Sequence, residues 1–255
     1  MSILYDIKDG IGWVTLNRPE ARNAFTFEMY DRLAEICASP ISDGSAKALV
    51  ITGAGERAFG AGTDISLFRD FDKDEDALRY EERMEVVLTT IETCSVPTIA
   101  AIAGACTGGA AAVAIACDLR IAAQNAVFGF PIARTLGNCL SLANYGRLVA
   151  MIGAGRVMDL ILTARLIDAE TAKAVGLASE VVPDHAALME RASALAQAVA
   201  EHAPLTIRAT KEALRRLRQG RRDDHDLIIQ CFMSEDFREG LEAFLAKRKP
   251  NWQGR

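Results

Sequence analysis

Apolar and polar residues alternate through residues 3–7 and again through 11–16, with Asp9-Gly10 between the two runs. Period two on either side of an Asp-Gly pair predicts a β-hairpin. The period then changes. Met29, Leu33, Ile36 and Cys37 recur at helical spacing after Thr26, whose hydroxyl suits a helix N-cap. Residues 47–52, KALVIT, form a buried strand, and a glycine-rich loop runs from Gly53 to Thr63. Residues 74–93 predict a long amphipathic helix with Tyr80, Met84, Val87, Leu88 and Ile91 as its inner stripe. Pro97 precedes a strand at 98–103, strands near 119–122 and 127–128 come next, and helices begin around residue 141. Strands alternate with helices up to Val182, so the class is α/β. From His185 onward everything reads as helix, broken at Pro204, Gly220 and Gly240. The expected organisation is an α/β core over residues 1–190 and a C-terminal helical region over 191–255.

The most informative stretch is residues 98–118, TIAAIAGACTGGAAAVAIACD. An apolar run meets a glycine turn, then Gly108-Gly109, then a helix of Ala, Val and Ile. Side chains this small let another backbone or a ligand come close. A glycine pair that opens a helix leaves N–H groups without intrahelical partners, and such groups can hold an oxyanion. Between Thr98 and Cys117 no side chain is acidic, basic or imidazole. Backbone donors are present and proton-transfer groups are not. A second small-residue bend lies at Ala58-Phe-Gly-Ala-Gly-Thr-Asp64. Taken singly, each bend reads as a tight turn or as packing between helix and sheet. Together they supply two backbone donors for one carbonyl oxygen. The GxGxxA match at 53–58 is rejected as a dinucleotide fingerprint, because Gly60 and Gly62 keep the stretch a loop where the fingerprint needs a helix to start.

Composition narrows the class further. Half of the 255 residues are hydrophobic, enough for a sizeable core in one large domain with a helical appendage. The net charge of −5 favours neither nucleic acid nor an anionic membrane, so an anionic ligand needs local basic residues. Six cysteines, at 37, 94, 106, 117, 139 and 231, form no CxxC pair and read as reduced, buried thiols of a cytoplasmic protein. Acidic residues interrupt the N-terminal stretch, which is no signal peptide, and residues 98–117 are too glycine-broken for a membrane span. His185, His202 and His225 lack metal-ligand spacing, so no metal is expected. Arg215, Arg216, Arg218, Arg221 and Arg222 read as a solvated helix face before a phosphate contact, and Lys247-Arg248-Lys249 leaves the same two readings open.

These pieces together resemble the crotonase (enoyl-CoA hydratase/isomerase) superfamily. The resemblance rests on LNRPEARNAF at 16–25, VITGAGERAFGAGTDI at 50–65, VPTIAAIAGACTGGA at 96–110 and CDLRIAA at 117–123. It extends through LTAR and DAETAKAVGLASEVV within 162–182 and FREGLEAFLAKRKPNW at 237–252. It implies a spiral of stacked ββα turns, with a C-terminal helical region that builds a homotrimer or a dimer of trimers. It also implies an acyl-CoA thioester substrate, with coenzyme A entering as part of that substrate and no permanently bound cofactor. By position, the N–H groups of Thr63 and Gly109 would grip the thioester oxygen. Arg22, Ala24, Ala61, Asp64 and Ile65 would border the adenine and pantetheine. Gly108, Ala112 and Pro131 would line the site, and Lys247 would sit near the CoA phosphates.

The chain also departs from the pattern of the family's hydratases. They carry two glutamates, and the matching positions here are Ala112 and Ile132, with Ala133 as the other candidate because FGFPIARTLG at 128–137 is one residue longer than usual. Hydration needs a base for water and an acid for the α-carbon. Among replacements, Asp64 reads first as a turn cap. Arg134, Asn138, Cys139, Ser141, Asn144 and Tyr145 lie in or after the altered motif. Cys139 reads as a buried thiol before a nucleophile, Asn144 and Tyr145 as helix packing, and the acidic run 70–82 as a solvated helix face. The expectation is a family enzyme working through an oxyanion-stabilised enolate. Decarboxylation, thioester hydrolysis and non-catalytic acyl-CoA binding are the alternatives.

Overall fold

The computed structural model describes residues 1–40 and 46–255. The chain opens with β1 (Ile3–Lys8) and β2 (Ile11–Leu16), paired antiparallel. Asp9 and Gly10 both take positive φ between them, at 52° and 74°, the backbone of a two-residue hairpin turn. Next comes α1 (Phe27–Ala38), capped by the Thr26 hydroxyl, which accepts from the Met29 N–H at 3.3 Å. Removing that cap in Thr26→Ala is expected to cost about 1 kcal/mol of unfolding free energy in urea titration, with the m-value unchanged.

Three turns of one repeated unit follow. The first is β3 (Ala48–Gly53), β4 (Ala58–Gly60) and α2 (Asp74–Glu92); the second is β5 (Thr98–Ile102), β6 (Ala105–Thr107) and α3 (Gly108–Ala116). The third is β7 (Leu119–Ala123), β8 (Val127–Gly129) and α4 (Leu142–Ile152). The first strand of each turn joins a six-stranded sheet of order β1-β2-β3-β5-β7-β10, and the second joins a four-stranded sheet of order β4-β6-β8-β9. Within the turns all neighbours run parallel, so the chain advances one strand along both sheets per turn. This is the expected spiral of ββα turns. The remaining elements are α5 (Ala154–Thr163), β9 (Ile167–Asp168), α6 (Ala169–Ala174), β10 (Glu180–Val182), α7 (His185–Ala200), α8 (Pro204–Arg218), α9 (His225–Phe232) and α10 (Glu235–Leu245).

The central strands β3 and β5 of the large sheet are buried on both faces, which explains why they read as continuous apolar runs. Leu49 and Ile51 of β3 point into the main core with Leu88, Ile91 and Val113. Ala48 and Val50 point to the opposite face, where Leu188, Ala192 and Ala196 of α7 cover them together with Ile99, Ala101 and Ile121. The boundary expected after residue 190 falls inside α7. Between β5 and β6 the chain turns at Gly104, with φ of 63°, where a Cβ would stand 2.2 Å from the Arg57 carbonyl carbon. Only glycine lets the two turns of the spiral approach this closely.

Three sequence expectations change. No break occurs at Gly240: it sits inside α10, against the Trp252 ring, where a Cβ would meet the ring at 2.9 Å. The break comes earlier, and the Ser234 hydroxyl caps α10 by accepting from the Phe237 N–H at 2.9 Å. The arginine run is a solvated face only at Arg221 and Arg222, which are exposed. Arg216 is buried and pairs with Glu212 and Asp226, Arg215 pairs with Glu212, and Arg218 pairs with Glu92 at 2.7 Å. Nor are all the thiols buried, since Cys139 is exposed and Cys231 is half-buried.

A buried ion network joins the helices. Arg147 of α4, 1 % exposed, donates to Glu85 at 2.7 and 2.8 Å, to Glu92 at 2.9 Å and to the Asn144 side-chain oxygen at 3.1 Å. Burial works to raise the Glu85 pKa, but the Arg147 guanidinium brings it below the ordinary carboxylate value. No helix among the described residues is long and apolar enough to cross a membrane.

Candidate active site

The two small-residue bends meet. One lies after β4 at Ala61-Gly62-Thr63, the other between β6 and α3 at Thr107-Gly108-Gly109. A Cβ on Gly108 would stand 3.5 Å from the Gly62 Cα, and one on Gly62 would stand 3.8 Å from the Gly109 nitrogen. A Cβ on Gly109 would lie 3.4 Å from the Thr63 nitrogen. The contact is backbone against backbone; glycine is called for by the positive φ of Gly62 (107°) and Gly108 (54°), and at Gly109 by the Tyr30 hydroxyl, which a Cβ would meet at 2.2 Å. Phe25 anchors the first bend, donating its N–H to the Gly62 carbonyl and accepting the Asp64 N–H, both at 2.8 Å. Among the described residues, the amides of Thr63 and Gly109 donate to no protein acceptor.

Both bends open on a cavity of about 460 Å³. It gathers Thr63, Gly109, Ala61, Ile65, Gly108, Ala112 and Pro131 from the expected site residues. Arg22, Ala24, Asp64 and Lys247 are not on its wall. Arg22 and Ala24 adjoin it through the backbone, the Arg22 carbonyl accepting from the Ala61 N–H at 3.0 Å. Arg18 bridges Ala24 and Asp64, donating to the Ala24 carbonyl at 2.8 Å and to the Asp64 carboxylate at 3.1 Å. Asp64 caps its own turn: its carboxylate accepts from the Ser66 N–H and hydroxyl, and these bonds, then Arg18, hold its pKa below the usual value. Lys247 lies past the end of α10, in the exposed C-terminal segment.

The altered motif supplies the opposite wall. Pro131–Ala133 is one turn of 3-10 helix; the Ile132 side chain is buried and lines the cavity, while Ala133 is exposed. Asn138, Cys139 and the buried Asn144 also line it. Ser141 instead caps α4 by accepting the Asn144 N–H, and Tyr145 packs on the core.

Two groups of residues escaped the sequence reading. Thr63 Oγ1 lies between two phenols, 2.9 Å from the Tyr30 hydroxyl and 2.9 Å from the Tyr80 hydroxyl. Burial pushes both phenols' pKa values up, so they stay protonated at neutral pH and can only donate or accept hydrogen bonds. Tyr30 is fixed by stacking on Phe25, with ring centroids 4.5 Å apart. The second is Glu81. The acidic run does not lie wholly on a solvated face, because Glu81 is half-buried and lines the cavity beside Tyr80 and Met84. Burial, then the charge of Glu85, raises its pKa. The signal was present in the spacing: residues 81, 84 and 88 fall on one helical face.

Comparison with known proteins bears on the family and the fold. The model of the enoyl-CoA hydratase/isomerase family matches residues 6–255. A short-chain-enoyl-CoA hydratase of Clostridium acetobutylicum is 31% identical, covering 97% of this chain and 96% of that protein. A 2,3-dehydroadipyl-CoA hydratase of Escherichia coli is 34% identical, covering 95% and 94%. Among solved structures, an enoyl-CoA hydratase/carnithine racemase from Magnetospirillum magneticum superposes with a TM-score of 0.91 at 32% identity, covering 100% of this chain and 96% of that one.

Proposed function

This chain belongs to the enoyl-CoA hydratase/isomerase family, and on that premise we propose that it transforms acyl-CoA thioesters through an enolate. In this reading the amides of Thr63 and Gly109 receive the thioester oxygen as negative charge develops on it. The observation that carries the reading is the meeting of the two glycine bends, with two amides that have no acceptor among the described residues beside one cavity. Preorganised donors of this kind contribute roughly 3–4 kcal/mol each to the transition state. Ile65, Phe68, Met84, Leu88, Ile132 and Leu140 give the wall an apolar portion that fits an acyl chain.

Two-glutamate hydration is not the chemistry this site supports. The resemblance matches the hydratases' glutamates to Ala112 and to Ile132 or Ala133; none of these transfers a proton, and Ala112 and Ile132 line the cavity with hydrocarbon. The reading keeps the family's thioester substrate and its enolate, and leaves the proton to another group. Coenzyme A enters and leaves with the substrate. The exposed apolar side chains of α9 and α10, Phe232, Leu241 and Phe244 among them, support association with further copies of the chain into a homotrimer or a dimer of trimers. Six free thiols accord with a cytoplasmic setting.

Calorimetric titration with butyryl-CoA, and with methyl thiobutyrate as the analogue lacking the nucleotide, tests the reading. Saturable heat with butyryl-CoA and none with the truncated thioester is expected. No heat with butyryl-CoA at high protein concentration would contradict it.

A further inference from the structure

The proposed enolate needs a base at the substrate's α-carbon, and the two positions from which glutamates would serve are filled by Ala112 and by Ile132 or Ala133. The other titratable residues on the cavity wall are few. Tyr30 and Tyr80 hold their protons, as argued above, and Cys139 sits at the exposed rim. Among the described residues that line the cavity, Glu81 is the only carboxyl.

The other acids of α2 are accounted for. Asp74, Glu75 and Asp76 occupy its first turn, and the Asp76 carboxylate accepts from the Asp72 and Lys73 N–H groups, both at 3.3 Å. Glu82 is exposed. Glu85 is held by Arg147 and Thr89, and Glu92 by Arg147 and Arg218. Glu81 makes no ion pair or hydrogen bond with any described residue. It stands on the helix face that carries Met84 and Leu88, both buried, and that packs toward α3. A leucine there would cover apolar surface, whereas a half-buried, unpaired carboxylate loses hydration and gains no partner. A residue that costs stability in a cavity wall is where function is to be sought.

We propose that Glu81 is the general base, and its protonated form the general acid, that moves the α-proton of an apolar acyl-CoA. This rests on the acyl-CoA reading above. In the forward step the Cα–H bond breaks and an O–H bond forms on the Glu81 carboxylate. The C–H electron pair becomes the enolate double bond, and the carbonyl π pair moves onto the thioester oxygen between the Thr63 and Gly109 amides. In the reverse step the carboxylic acid returns the proton to Cα, or to the γ-carbon when the starting chain is a β,γ-unsaturated thioester, whose α-deprotonation gives a dienolate. Return to Cα gives exchange or racemisation, and return to the γ-carbon gives a shifted double bond. No oxidant, metal or second carboxylate enters the balance. The raised pKa of Glu81 makes it a stronger base than an ordinary glutamate and keeps the acid form available for the return.

The test is deuterium incorporation into butyryl-CoA in D2O, read by mass spectrometry, with butyryl-CoA affinity measured alongside for wild type, Glu81→Gln and Glu81→Asp. Wild type is expected to incorporate deuterium. Glu81→Gln is expected to lose about 10²-fold in exchange rate, with affinity and melting temperature maintained. Glu81→Asp, which keeps the carboxyl but shortens its reach, is expected to fall between them. Equal exchange by wild type and Glu81→Gln would overturn the assignment while leaving the acyl-CoA reading standing. Binding without any exchange by wild type would also overturn the assignment. Absence of binding by wild type would overturn the acyl-CoA reading itself.

Discussion

Gly109→Ala is expected to lower the rate of α-proton exchange by about 10²–10³-fold, the range found when an oxyanion donor is lost. The substitution leaves the amide in the chain but moves it. The new methyl would stand 2.2 Å from the Tyr30 hydroxyl and 2.6 Å from Thr63 Oγ1. Tyr30 is 1 % exposed and stacked on Phe25, so its ring has nowhere to swing. The strain falls on Thr63 and on the helix N-terminus, which are the two elements that carry the proposed donors. A shift of about 1 Å in a reacting geometry is enough for a loss of 10². Overpacking of this kind also costs roughly 1–3 kcal/mol in stability. Removing the closer obstacle in the double variant Gly109→Ala, Tyr30→Phe should return part of the rate. Exchange kinetics and thermal melting of the three proteins check this, and an unchanged rate in Gly109→Ala would contradict the assignment of its amide.

Arg147→Met is expected to destabilise the fold by about 3 kcal/mol, near the lower end of what breaking a buried pair costs. The guanidinium is buried, and it gathers Glu85, Glu92 and Asn144 from two helices. Methionine keeps the packing and removes the charge. Glu92 would retain Arg218, and Glu85, 36 % exposed, would turn toward water, which is why the loss stays below the extreme. The sign of the pH dependence follows. Glu85 is lowered in the folded state, so its contribution is present above the unfolded glutamate value of about 4.5 and is lost as pH falls through the folded value. Urea unfolding from pH 7 downward should show wild type losing its advantage over Arg147→Met in that acid window. Equal stability of the two proteins at pH 7 would show that the network contributes nothing net.

Much of this architecture is legible in the chain because its signals are local. Asp9-Gly10 between two alternating runs fixes the hairpin, and Thr26 ahead of a 3.6-residue stripe fixes α1. Gly108-Gly109 ahead of an alanine-rich run marks the start of α3 and its free amides. What escaped depends on partners distant in sequence. β6 has three residues, too few to show a period, and exists because β4 and β8 flank it. Gly240 looks like a helix break until Trp252 is seen packed against it. The arginine run looks solvated until Glu92 and Asp226 arrive from other helices. Glu81 hides in an acidic run, and only the cavity distinguishes it from Glu82, one residue and about 100° around the helix away.

The central claim is that two amides receive one thioester oxygen, and the carbonyl stretch of bound substrate reports on it most directly. With butyryl-CoA labelled with carbon-13 at the thioester carbonyl, infrared difference spectra of the wild-type complex should show the band moved to lower frequency than in solution. In the Gly109→Ala complex the band should move back toward its solution position. A bound wild-type carbonyl that absorbs where the free thioester does would contradict the account.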